Sequence, residues 1–236
     1  MVLRSELNKR SPLRVFERSI HGGLGKGNIG VVTSRKGVGK TAMLIGIALD
    51  AALGERKVLH VTIGDGFAHL IDFYDEIFAE LCRSKKLEDA ADSRLTMERH
   101  RHLLSYRDHE FTIGRIRESL EFLERHADFV PEALIIDGWP DFESASKDDL
   151  LTLKNLAVEK KVELWVSALR HREGQKRDER DVPMEVARFD EFLSVIIRLE
   201  PRSDHVALRI VKDHENEELA DLHLELDPST LLLKWG

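Results

Sequence analysis

The sequence is short of cysteine, tyrosine, proline and long apolar runs. It has one Cys, two Tyr and six Pro in 236 residues. With Cys82 alone no disulfide closes within the chain and no thiolate zinc site can be assembled, so a reducing compartment is expected. The longest near-continuous apolar run, 42–53, is interrupted by Asp50 and falls well short of the roughly 20 residues a spanning helix needs. No transmembrane helix and no membrane partner are expected. The first ten residues are charged and lack the apolar stretch of a secretory signal, so the expected location is the cytoplasm. Neither sign of charge dominates: 36 Lys+Arg face 43 Asp+Glu, and a formal charge of −7 brings no general attraction to nucleic acid. Eleven histidines include no His-Glu-x-x-His pair, which removes a helix-borne zinc site of that type. Ser144, Ser146 and Ser167 lack the Gly-x-Ser-x-Gly elbow, which removes acyl transfer of that type.

What is present is an ordinary globular composition, 42% hydrophobic and 33% charged. Residues 29–33 are apolar and β-branched, 41–53 form a dense apolar helix closed by Gly54, and 57–63 supply a second strand ending at Gly64-Asp65-Gly66. Strand, loop, helix and strand make a βαβ unit. Its parallel connection predicts an α/β fold with a mainly parallel central sheet flanked by helices on both faces. From 67 to 129 the spacing of Leu70, Ile71, Phe73, Tyr74, Ile77 and Phe78, then of Ile113, Ile116, Leu120 and Leu123, predicts a helical insertion. A third strand is expected over 133–137, a helix opened by a Ser146/Asp149 capping box through 160, and a fourth strand over 162–168. Four strand-like runs, 193–199, 205–212, 219–226 and 230–235, have connections short enough for antiparallel hairpins. No repeat, linker or composition break divides the chain, so one domain over 1–236 is expected.

Between the first strand and its helix lies Ser34-Arg35-Lys36-Gly37-Val38-Gly39-Lys40-Thr41. Glycines let successive amides curl around phosphate oxygens, the positive helix end faces the anion, and a lysine bridges to the terminal phosphates. Lys40 is the expected phosphate-bridging residue, and the Thr41 hydroxyl the expected Mg²⁺ ligand. A plain glycine turn opening a helix is the competing reading. Serine at position 34 stands where the usual pattern has glycine. Asp137 ends an apolar strand before Gly138, where a carboxylate suits Mg²⁺ through its water shell or, equally as a local motif, a cap on the following turn.

These features, with the glycine-rich lead-in 20–32, Leu134-Ile135-Ile136-Asp137, Trp165-Val166-Ser167 and the C-terminal strands, resemble the RecA-like P-loop ATPases, and within them the KaiC-type and DnaB-type single-domain members. The resemblance covers most of the chain except about 67–129. It implies a P-loop NTPase fold, ATP with Mg²⁺, and assembly into a ring or filament of identical subunits. It also implies a water-polarising Glu after the second strand, where this chain offers Asp65, a residue that equally suits a turn between two glycines. A phosphate sensor at the tip of the fourth strand is replaced by Ala168, with Arg170 and His171 beyond it. A Lys-x-Arg reaching the neighbouring subunit's phosphates is matched by Lys212-Asp213-His214, with the arginine lost. The resemblance therefore implies a slow ATPase, as an alternative a nucleotide-gated binding module, and behind both a DNA-translocating motor of the helicase or recombinase type, for which the mixed-charge loop and the missing Glu are poor equipment.

Two basic stretches bear on partners. Residues 170–180 interleave both signs, as a solvated loop does, although the resemblance places a DNA-facing loop there. Residues 94–107 set four Arg and two His against one Glu, with Tyr106 available for stacking. They read either as a helix surface with scattered charge or as a patch for nucleic acid or a protein partner.

Overall fold

The β-branched run of the first strand extends further than its pattern indicates. In the computed structural model, which describes residues 3, 11–20, 22–64, 66–170, 176–219 and 223–236, strand β1 spans Ile29–Arg35. Ser34 and Arg35, expected in the loop, continue the ladder opposite Leu169 and Arg170 of β5 (Glu163–Arg170). Around this pair a nine-stranded sheet runs in the order β3-β2-β4-β5-β1-β6-β7-β8-β9. The remaining strands are β2 (Val58–Ile63), β3 (Arg101–Tyr106), β4 (Ala133–Asp137), β6 (Val195–Pro201), β7 (Val206–Asp213), β8 (Leu224–Leu226) and β9 (Leu233–Trp235). Pairings from β3 through β6 are parallel and those beyond are antiparallel. The chain is thus α/β, with a mostly parallel sheet and antiparallel C-terminal strands.

Each face of the sheet carries its own apolar core. One holds α1 (Pro12–Ser19), α2 (Lys40–Leu53), α3 (Phe67–Lys85) and α4 (Ala90–His100); the other holds α5 (Ile113–His126), α6 (Lys147–Lys160) and the single turn α7 (Met184–Ala187). Central strands covered on both faces are apolar at nearly every position, which is why 133–136 and 164–166 show no alternation. Helix α2 is buried at eleven of its fourteen residues, as expected of a helix that is apolar all round. Ser146 and Asp149 form the expected capping box at the start of α6.

The stretch 67–129 is not wholly helical. It contains β3, which pairs in parallel with β2 from Val58↔Arg101 to Ile63↔Tyr106. Arg101–Tyr106 has neither strict alternation nor β-branched residues, and α4 ends directly before it at His100 with no glycine or proline. Tertiary pairing with β2 overrides the local pattern. The last two strands are shorter than the runs that predicted them, with three residues each.

Gly30 fixes the distance between β1 and the large ring beside it. A Cβ there would lie 2.4 Å from two ring carbons of Trp165, which is itself buried and packed on Phe16 with centroids 5.9 Å apart. Gly30→Ala is expected to lower the unfolding free energy by about 2–3 kcal/mol through overpacking, read from the midpoint of a urea unfolding curve. An unchanged midpoint would show that Trp165 has room to move.

Candidate functional site

The carboxyl ends of β1 and β5 are neighbours, yet the chain leaves them in opposite directions. β1 leads into α2 on one face, and β5 leads to α7 on the other. Such a point in an open parallel sheet leaves a crevice at the strand tips, where ligands of α/β proteins bind. The loop 36–39 sits there. Gly37 and Gly39 adopt φ +77° and +112°, values that favour glycine. An added Cβ at Gly39 would also meet Leu226 Cδ2 at 2.5 Å, so that position excludes any side chain on two counts. Helix α2 starts at Lys40 with no side-chain cap, and its first bond across the loop is Met43 N–H to Gly39 O at 2.9 Å. Among the described residues, the amides of 37–41 have no backbone acceptor. Open amides at the positive end of a fourteen-residue helix are the kind of group that attracts an anion.

Lys40 folds back onto the end of β1. Its Nζ donates at 3.3 Å to Ser34 O, Ser34 Oγ and Arg35 O. Ser34 is buried, and its hydroxyl also donates to Arg35 O at 2.9 Å, so the serine adds an anchoring oxygen for the lysine. Burial pushes the Lys40 ammonium down to about 8, against the opposing pull of the Asp137 charge. The Arg35 and Lys36 side chains lie at exposed positions at the mouth, and Val38 packs partly into the core.

Across the crevice Thr41 Oγ1 donates to Asp137 Oδ2 at 2.6 Å, joining residues 96 positions apart. Gly138 follows at φ +101° and donates its amide to Ser167 Oγ at 3.0 Å, which ties the tip of β4 to β5. Thr41 Oγ1 and the Asp137 carboxylate are adjacent hard oxygens beside the open amides at the start of α2. That donor set suits Mg²⁺, whose remaining ligands are ordinarily water and phosphate. No cluster of three or more His, Cys, Asp or Glu that would bind a metal without phosphate occurs among the described residues.

Other sequence-predicted residues fall elsewhere. Asp65 and His171 lie outside the described residues, as does the side chain of Arg170. Ala168 is buried in the core. Lys212 is nearly buried, with Nζ 2.7 Å from both Asp190 O and Asp190 Oδ2, an intrachain ion pair that occupies the ammonium. His214 bonds Asp213 Oδ1 at 2.8 Å through Nδ1 and Leu24 O at 3.1 Å through Nε2, which makes it part of the scaffold. In the 94–107 stretch, Arg94 pairs with Asp75 and Glu98, and Arg101 stacks 4.3 Å over Tyr74. Tyr106 donates to or accepts from Ser119 Oγ at 2.7 Å. The stretch divides between a helix and a strand, and these groups are engaged within the fold.

Sequence reasoning missed two residues near the site. Asp108 follows β3, with Oδ1 3.7 Å from where a Cβ of Gly64 would stand. Reading 101–106 as helix hid its place at the strand tips. His60 lies on β2 between Val58 and Thr62, wholly buried, with Nδ1 2.8 Å from Tyr74 Oη and no partner for Nε2 among the described residues. Thr62, two residues on along β2, stands opposite Asp137 in the register. A histidine in a strand covered on both faces is the signal that could have found this pair.

Burial pushes the His60 imidazole from its ordinary 6.5 down to about 4; the Asp137 charge opposes this and Arg101 reinforces it. The folded state therefore keeps His60 neutral, while the unfolded chain takes up a proton below about pH 6.5. Stability is present above that value and is lost as pH falls toward 4. Between pH 7 and pH 5 the loss from this one group should be about 2 kcal/mol, measured by urea unfolding. His60→Leu should remove most of that slope, and an equal slope in the variant would show that His60 does not carry it.

Compared with models of protein families, the chain matches none. A search of curated proteins likewise finds no match.

Proposed function

We propose that this chain is a RecA-like P-loop protein that binds ATP with Mg²⁺ at the tips of β1 and β4, hydrolyses it slowly to ADP and phosphate, and works in a ring or filament of like subunits. The observation that carries the reading is the 2.6 Å contact between Thr41 Oγ1 and Asp137 Oδ2 beside a loop whose amides are open. A plain glycine turn has no need of a carboxylate delivered from 96 residues away.

On this reading the amides of 37–41 hold the β- and γ-phosphates. Lys40 exchanges three long contacts to Ser34 and Arg35 for charge-assisted bonds to phosphate oxygens. Thr41 and Asp137 hold Mg²⁺, which neutralises charge developing on the phosphates. Water attacks the γ-phosphorus in line, its oxygen forming the new P–O bond as the bond to the β,γ-bridging oxygen breaks. Asp65 is the proposed acceptor of the water proton, with Asp108 a described carboxylate close to Gly64 at the end of β2. Fixed amides and Lys40 stabilise charge where it develops. Assembly rests on the family resemblance alone, and Lys212 would have to leave Asp190 to serve a neighbour.

A second reading, a nucleotide-gated binding module with negligible turnover, is favoured by the burial of Ala168 two residues short of the end of β5 and by the engagement of Lys212 and His214. Arginine fingers, where they operate, contribute several orders of magnitude to turnover.

ATP with Mg²⁺ at about 100 times its dissociation constant should raise the unfolding free energy by about 2.7 kcal/mol, seen as a thermal shift absent in Lys40→Ala. Phosphate release above the Lys40→Ala background supports the slow ATPase. Release at background with the shift retained selects the gated module, and no shift for ATP or GTP discards both.

A further inference from the structure

The half of α2 remote from the phosphate loop borders a cavity that the proposed function does not use. It measures about 270 Å³ and lies among α1, α2, α3 and the turn 227–234. Its walls are apolar: Leu13 from α1, Leu49 and Leu53 from α2, Ile77 and Leu81 from α3, and Leu233 from β9. Gly46 forms part of the α2 wall. A glycine in a helix interior costs about 1 kcal/mol relative to alanine. Packing does not require one here, since an added Cβ would meet only Leu13 Cδ1, at an ordinary 4.0 Å. Its effect is to keep the space open.

The rim supplies the chemistry. Asp50 is held by Arg14 at 2.5 Å, and Asp227 by Lys234 at 3.2 Å, so each of these carboxylates is matched. Lys85 lines the same cavity from the end of α3, at an exposed position, and has no carboxylate partner among the described residues. Of the four charged groups in the lining, Lys85 is the one without an ion-pair partner among the described residues. The geometry points to a second ligand site, for a small amphipathic anion whose apolar body fills the cavity against Gly46 and whose head group meets Lys85. The volume sits just below the usual range for drug-sized ligands, which suits a medium-length alkyl or a single-ring body. The walls offer no cluster of amides for a polyphosphate. This site stands whether or not the chain binds ATP.

The test is calorimetric titration of the full chain with sodium octanoate. Wild-type protein should bind it, Lys85→Glu should weaken binding several-fold, and Gly46→Leu, whose side chain projects into the cavity, should weaken it at least ten-fold. The neutral probe 1-octanol should bind more weakly than octanoate. Gly46→Leu should melt cooperatively at or above the wild-type temperature, because it fills a void and removes a helix-interior glycine. Lys85→Glu lies on the surface and tests the head group even if Gly46→Leu misfolds. No octanoate binding to the wild type at millimolar concentration overturns the proposal. So does unchanged affinity in Lys85→Glu or in a folded Gly46→Leu. If octanoate fails to bind and Gly46→Leu dissociates a wild-type oligomer on gel filtration, the cavity belongs to a second copy of the chain, and the ligand site is likewise overturned.

Discussion

The hydrogen bond from Thr41 to Asp137 depends on register more than on either residue. β4 reaches β1 only through β5: Ile136 stands opposite Val166, and Val166 opposite Val31, so β4 ends at the level of Val32 while β1 runs on to Arg35 before the loop that brings Thr41 to Asp137. A slip of one residue in either ladder would turn Asp137 to the other face of the sheet, away from α2. The apolar residues of β4 enforce the register, since Ala133 and Ile135 fill one core and Leu134 and Ile136 the other. The polar contact at the edge is thus held by burial along the whole strand.

The same edge explains the electrostatics. Among the described residues the amides of 37–41 have no backbone acceptor, and beside them the Lys40 ammonium is desolvated enough to lower its proton affinity despite the carboxylate of Asp137. Positive charge concentrated in a partly buried concavity is costly without an anion and favourable with one. Ser34 moderates the cost by giving the lysine a hydroxyl in addition to two carbonyls. Glycine at that position would leave Lys40 one acceptor fewer.

Legibility followed how local each determinant was. The strand at 29–33, the glycines at 37 and 39, the apolar helix after them and the Asp137-Gly138 strand end are written in short windows, and their places in the fold follow. β3 was not legible, because Arg101–Tyr106 becomes a strand through pairing with β2 rather than through its own side chains. Losing β3 also lost Asp108, whose position depends on where that strand ends. Lys212 matched a lysine that reaches a neighbouring subunit's phosphates, and its pairing within the chain was not legible. Asp190, 22 residues earlier in a single turn of 3₁₀ helix, had no periodic signal to announce that it would meet the ammonium. Ser34 was visible as a departure from the usual glycine, but the sequence could not show its hydroxyl turned toward Lys40.

Helix α2 links the two regions that carry the functional proposals. Its first two residues are Lys40 and Thr41, and Gly46, Leu49, Asp50 and Leu53 face the cavity at its other half, roughly 8–18 Å along the axis at 1.5 Å per residue. A helix buried at eleven of fourteen positions cannot tilt without disturbing both the sheet and α3 and α4 beside it. An occupant of the cavity would therefore contact the helix that carries Lys40 and Thr41. Helix α1 closes one side of that cavity while Arg14 holds Asp50 of α2, so a ligand that shifts α1 would also strain an ion pair at a carboxylate that burial already disfavours as a charge. Coupling between the cavity and the loop 36–39 would thus run through one rigid helix and one half-buried ion pair, with no movement of the sheet required.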